Sequence, residues 1–262
     1  MTRGAGRRDG DMWRRFSYGG GAIPYMGPNQ ASLLYDWTPT LDNVTLNGAD
    51  AVSVLCRNSL YQSVAGFEMT QAVAITQPLW NVIDADLGGQ PTLEFAGAEQ
   101  MQTASAITLP TQCTVVIVAK DENPAGTRSL FEHSLNYSAA NGGLIFYGAS
   151  NSSAGLHYTG QTIKTSSVPA STKLGYVVSF DLAQAGASAF PLARLNNAAL
   201  GATGFNASAI GTFRSAALMM GGRAASNFCV GPVARVRVYN GIFTSAQADA
   251  EYAYQKARFG LP

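Results

Sequence analysis

The sequence predicts an all-β chain: a two-sheet antiparallel sandwich, preceded by an extended arm and ended by one short helix. Three observations carry this prediction. Short apolar or alternating runs recur along the chain, separated by turn residues. Charged residues make up only 13% of the 262, against roughly 25% in ordinary soluble domains, while glycine alone counts 28. Such a surface of small polar side chains suits strands better than solvent-facing helices. Finally, a capped helical pattern directly follows the last and longest alternating run.

Residues 1–30 show neither the period of a strand nor that of a helix. They hold Arg3, Arg7, Arg8, Arg14 and Arg15 against two aspartates, with Trp13, Phe16, Tyr18 and Tyr25 isolated in a Gly/Pro stretch. This is an arm, and a Gly-rich segment does not repay its ordering entropy alone. Its arginines and aromatics, Trp13 and Phe16 among them, are expected to bury against another chain. The sandwich then spans residues 31–262.

Residues 33–37, 43–46 and 51–55 read as short strands divided by Pro39 and Asn47-Gly48. Residues 77–80 and 90–97 follow. Residues 113–119 form a continuous apolar run, the mark of a central strand covered on both faces. Residues 129–135 and 143–147 are expected to pair across the intervening loop, 174–182 alternate cleanly, and 213–220 end at Gly221-Gly222. In the last strand, 233–239, Ala234, Val236 and Val238 share one face. Arg235 and Arg237 share the other, where they are expected to meet solvent or to bridge to a neighbouring subunit. Thr244 stands three residues before Gln247, the spacing of a capping box. Ala246, Ala250, Ala253 and Ala257 form a small-residue stripe expected to seat the helix on a sheet, and Gly260 is its stop.

Three segments together resemble the concanavalin A-like lectin/glucanase (laminin G-like) jelly-roll family: Leu34-Tyr-Asp-Trp through Val52-Ser-Val-Leu, Gln90-Pro-Thr-Leu-Glu-Phe-Ala-Gly-Ala-Glu-Gln-Met, and the C-terminal strand and helix. Order and spacing carry the resemblance, which frames residues 31–262 and implies a jelly roll. Ala96-Gly-Ala-Glu replaces the family's frequent Asp-rich turn, and Asn240-Gly-Ile-Phe replaces its D-R-x-L, so no calcium or sugar site is carried over. Such modules with a basic arm and no signal peptide look like phage virion proteins. The implied function is a non-enzymatic decoration or fibre subunit, made in the host cytoplasm and located in the virion. Its implied partners are itself, as a trimer, and capsid or tail proteins. The alternative is a receptor-recognition module that binds a host surface glycan, with Tyr137, Tyr147, His157 and Tyr158 as stacking contacts.

The chemistry-bearing residues are sparse. Net charge is +1, which implies neither nucleic acid nor an acidic membrane as partner, and no apolar run is long enough to span a bilayer. Cys56, Cys113 and Cys229 are far apart and are read as small buried hydrophobes. With two histidines, His133 and His157, and no ligand spacing, no metal or cofactor is expected. Glycoside hydrolysis needs two carboxylates on one face, and Glu94, Glu99, Asp121, Glu122 and Glu132 are scattered. Glu132 and His133 are adjacent and should point to opposite faces of a strand. No catalytic residue is assigned.

Overall fold

The structure, a computed structural model, describes residues 27–57, 64–122, 128–133, 144–149, 153–158, 161–167, 172–200, 211–213, 215–222 and 228–262; between 144 and 167 it describes the backbone. The strands in chain order are β1 (Leu33–Asp36), β2 (Val44–Asn47), β3 (Asp50–Val54), β4 (Met69–Thr70), β5 (Leu79–Asp84), β6 (Gln90–Ala96), β7 (Met101–Thr103), β8 (Gln112–Asp121) and β9 (Phe131–His133). They continue with β10 (Leu144–Ala149), β11 (Ser153–Tyr158), β12 (Gln161–Ser167), β13 (Thr172–Asp181), β14 (Leu192–Leu195), β15 (Ala198–Ala199), β16 (Leu218–Met220) and β17 (Val230–Asn240). The helix α1 (Ser245–Phe259) follows.

The named strands pair antiparallel throughout and fold into two layers. The front layer runs β2-β3-β4-β7-β16-β9-β10-β11-β12. The back layer is centred on β17 and β8, and β13, β14 and β15 continue beyond β8. The other edge of β17 is shared: β1 pairs with its C-terminal half and β6 with its N-terminal end. β5 pairs with β6 and touches β3 at Asp50–Leu79, forming the corner between layers. Met69, Met101, Phe131, Leu218 and Met220 of the front face Val115, Ile117, Tyr176, Val236 and Val238 of the back in one core. This is the two-sheet antiparallel sandwich expected, with inward and outward residues alternating along each strand.

A third layer explains the continuous apolar run in β8. Val115, Ile117 and Ala119 face the sandwich core, while Val116 and Val118 lie on the opposite side among residues of α1 and its flanks. A strand covered twice has no polar face to show. The capping box of α1 forms as expected: Thr244 accepts from the Gln247 amide and Gln247 returns to the Thr244 backbone. Gly260 ends the helix at φ +62°.

Two details differ from the expectation. The β17–β8 register skips a residue between Val233 and Arg235. That bulge turns Val233 into the core and Ala234 toward α1, beside Leu87 and Phe259, so Ala234 does not share a face with Val236. In α1 the alanine stripe is the solvent face: Ala246, Ala250, Ala253 and Ala257 are exposed, while Ala248, Glu251, Tyr252, Tyr254, Gln255 and Phe259 are buried. Aromatic area outweighs close approach, because each ring removes far more apolar surface from water than a methyl does.

Candidate functional site

The outer face of the back layer is closed by α1, and the two arginines of β17 lie beneath it. Arg235 and Arg237 are fully buried within the chain. Arg237 sets Nη2 2.8 Å from Asp36 Oδ2, donates from Nε to the same oxygen at 3.0 Å, and reaches the Tyr239 hydroxyl. Arg235 donates to Thr38 Oγ1 at 3.1 Å and to the Tyr254 hydroxyl at 3.2 Å. Its guanidinium lies 4.9 and 5.0 Å from the ring centres of Tyr254 and Phe259. Burial alone would raise the Asp36 carboxyl, but the charges of Arg237 and Arg235, with hydrogen bonds from Arg237 and Thr38, hold it below the usual carboxylate range. The expected solvent or subunit contact of Arg235 and Arg237 is therefore corrected: side chains with no exposed surface meet neither. Alternation identified their shared face, but a packed helix decided what lies on it.

The one α-helix of the described residues lies on the back layer, and the front layer's outer face is exposed at Thr45 and Gln102 but covered at Met219 and Glu132. Register aligns one residue per strand across it. Thr45 stands opposite Ser53, Ser53 opposite Thr70, Thr70 opposite Gln102, Gln102 opposite Met219, and Met219 opposite Glu132. The row continues by register through Ile145, His157 and Thr162. With strands about 4.8 Å apart, Thr70 and Glu132 stand about 14 Å apart along it. Thr45 and Gln102 are exposed and Ser53 and Thr70 half-buried, whereas Met219 is nearly covered and Glu132 is 1% exposed. The accessible part of the row thus offers hydroxyls and an amide, a set that can trade hydrogen bonds with a polyhydroxylated ligand, while Met219 and Glu132 lie beneath the surface.

Glu132 and His133 do point to opposite faces. His133 enters the core, its Nε2 2.9 Å from the Ile107 carbonyl and its ring 5.6 Å from that of Phe213. Burial pushes its pKa down, so the ring is neutral. All three cysteines are buried thiols, and burial pushes Cys56 up to about 12 and the other two higher still, which leaves them unreactive. Among the described residues no group of His, Cys, Asp or Glu is placed to hold a metal. No helix among them is long and apolar enough to cross a membrane.

Of the expected glycan contacts, Tyr147 pairs with Gly155, His157 with Ile145 and Tyr158 with Leu144. Tyr137 lies outside the described residues, as do Arg3, Arg7, Arg8, Trp13, Arg14, Arg15 and Phe16 of the arm. Thr70, Gln102 and Met219 were not singled out from sequence: β4 and β7 are two and three residues long, too short for alternation to be seen. The Phe-Glu-His alternation of β9 was the one readable sign of a carboxylate set against the core.

No protein-family model matches the chain, and no curated protein matches it. Solved structures do. The sialidase of Trypanosoma rangeli in complex with the inhibitor DANA superposes with a TM-score of 0.55 at 15% identity, over 90% of this chain and 34% of that one. The same enzyme in complex with sialic acid gives 0.51 at 18% identity with the same coverage. The CBM40 of the Ruminococcus gnavus IT-sialidase bound to alpha2,3 sialyllactose gives 0.46 at 13% identity, over 63% of this chain and 95% of that one. The chain spans about a third of the length of the sialidases it matches. At these identities the likeness is one of fold alone, an antiparallel β-sandwich.

Proposed function

We propose that the chain is a carbohydrate-binding module whose glycan lies across the outer face of the front layer, over Thr45, Thr70 and Gln102. One observation carries this reading. The back layer spends its outer face on α1, whereas the front layer presents a register-aligned polar row, Thr45, Ser53, Thr70 and Gln102, that reaches the surface. Tyr147 and His157 extend the same face by strand parity. The module binds without turnover: among the described members of the row Glu132 is the one carboxylate, and hydrolysis by the two-carboxylate route needs a second within about 5–10 Å. A glycan array on the full chain is the test. Binding is expected, with Thr70→Ala and Gln102→Ala each weakening it at least tenfold and no reducing ends released from bound polysaccharide. Wild-type binding unaffected by both variants would remove the row from the function.

A second reading, a subunit of a larger particle such as a phage decoration or fibre protein, is favoured by a different observation. Around the β2–β5 corner, Leu46, Val73, Ile75 and Ile83 are exposed, Ile75 by 87% and Ile83 by 69%. Apolar side chains gathered so openly mark protein–protein contact surfaces. A homotrimer located in the virion is the form this reading takes, and light scattering on the isolated chain tests the trimer.

A further inference from the structure

The strands that carry the accessible row alternate between the core and the outer face. In β4 Met69 is fully buried in the core, so its two neighbours, Thr70 and Glu68, both lie on the outer side. Glu68 stands just before the strand, but the ladder reaches it. The Ala104 amide donates to its carbonyl at 3.0 Å, one step beyond the Met69–Thr103 pair. In β7 Met101 and Thr103 are buried on either side of exposed Gln102. Glu68 therefore adjoins the row, about 7 Å from Thr70 along the chain.

Its carboxylate is half-buried, and no hydrogen bond or ion pair to another described residue engages it. Other carboxylates of the described surface each hold a cation: Asp42 holds Arg57, Asp86 and Glu122 hold Lys120, and Asp249 holds Arg194. The Glu68 charge reaches its neighbours instead. Burial first, then the charges of Asp36 and Glu68, push the Cys56 thiol up to about 12.

Residues 43–47, 50–55, 68–72 and 100–104 hold the row and its flanks, and their charged members are Asp50 and Glu68, both acidic. Asp50 pairs with Asn47 at the closed end of the β2–β3 hairpin. Arg57, the next cation along the chain after Leu55, is occupied by Asp42 at 2.8 Å. Arg235 and Arg237 are buried beneath α1. The hydroxyls and the amide of the row thus lie in a field of one sign, and no cation on these four stretches can pair with a carboxylate brought by a ligand.

We propose that the row takes uncharged glycans and excludes acidic ones, with Glu68 as the residue that sets this preference; the inference rests on the reading of the row as a glycan site. A sugar carboxylate laid over Thr70 and Gln102 would give up hydration and gain no charge-assisted bond from Arg or Lys. It would also meet the Glu68 charge. A neutral sugar meets no such repulsion, and its hydroxyls can donate to the Glu68 oxygens, which only accept. The repulsion acts through water, so salt weakens it, with a screening length of about 8 Å at physiological ionic strength.

The test is an array of paired oligosaccharides probed with the full chain at low and at high salt. Each pair sets a neutral sugar beside its uronic-acid counterpart, in which the primary hydroxyl is replaced by a carboxylate. At low salt the neutral member is expected to bind at least about fivefold more tightly, and the gap to narrow as salt rises. Glu68→Gln is expected to narrow the gap at low salt, and Glu68→Lys to reverse it. Equal binding of the two members by the wild type, or a gap that both variants leave unchanged, would overturn the inference and spare the row so long as Thr70→Ala and Gln102→Ala still weaken binding. Neutral binding that survives Thr70→Ala and Gln102→Ala would overturn the row itself, and this inference with it.

Discussion

Asp36 and Arg237 form an ion pair with at most 2% of either side chain exposed. Two buried charges attract strongly but forfeit their hydration, so the pair adds little net stability, while removing one partner strands the other at about 3–5 kcal/mol. Arg237→Met is therefore expected to lower the urea-unfolding free energy by about that much, and Asp36→Asn/Arg237→Met by distinctly less. Two buried groups held low, His133 and Asp36, lead the pH dependence. His133 is held neutral by burial, so stability begins to fall as pH drops below its unfolded value of about 6.5. Asp36 is also lowered; its contribution is complete above the unfolded value of about 3.9 and is lost as pH falls through the lower folded value. Urea midpoints measured from pH 7 to pH 2 should fall in two stages, and Asp36→Asn should shrink the second, to which Asp42 and Asp86, also held low, contribute as well.

The elements were legible where their own residues dictate them. The capping box was readable because its two partners are three residues apart, and Thr244→Ala is expected to cost about 1 kcal/mol, seen as a lower thermal midpoint. β8 was readable because a strand buried on both faces has only apolar residues to show. The orientation of α1 was not, since its alanine stripe and its aromatic stripe are equally periodic and only the sheet beneath chooses between them. The bend after β16 is a third case. Gly221 has φ +80° and a Cβ there would fall 2.0 Å from the Phe95 ring. Gly221→Ala is thus expected to destabilise by at least about 1–3 kcal/mol, with the loss falling on the β16–β6 contact rather than on any ligand.

At the scale of the whole molecule, α1 acts as a third layer rather than as an appendage. Removing residues 241–262 would uncover Val116, Val118 and Val177 together with two buried arginines. The truncated chain is expected to aggregate on expression, whereas a removable appendage would leave a folded sandwich with an unchanged circular dichroism spectrum. Assembly belongs to this scale too. If the second reading of the chain as a particle subunit holds, it associates by closed symmetry, and multi-angle light scattering returns three times the 27.5 kDa chain mass. A monomer well into the micromolar range would exclude the trimer and leave the apolar corner to a larger partner.

What the amino-acid order determined by itself is local: which segments alternate, which run apolar, where the helix is capped and stopped. Those follow from interactions within a few residues, and they were enough for the all-β class, the central strand and the terminal helix. Tertiary structure alone decided the rest. Arg235 and Arg237 share a face by alternation, yet whether that face meets water or a helix depends on residues up to about two hundred positions away, as Asp36 does. The row through Thr70, Gln102, Met219 and Glu132 joins four strands of two or three residues each. Segments that short have no period of their own, and their outward residues become a surface only when register places them side by side.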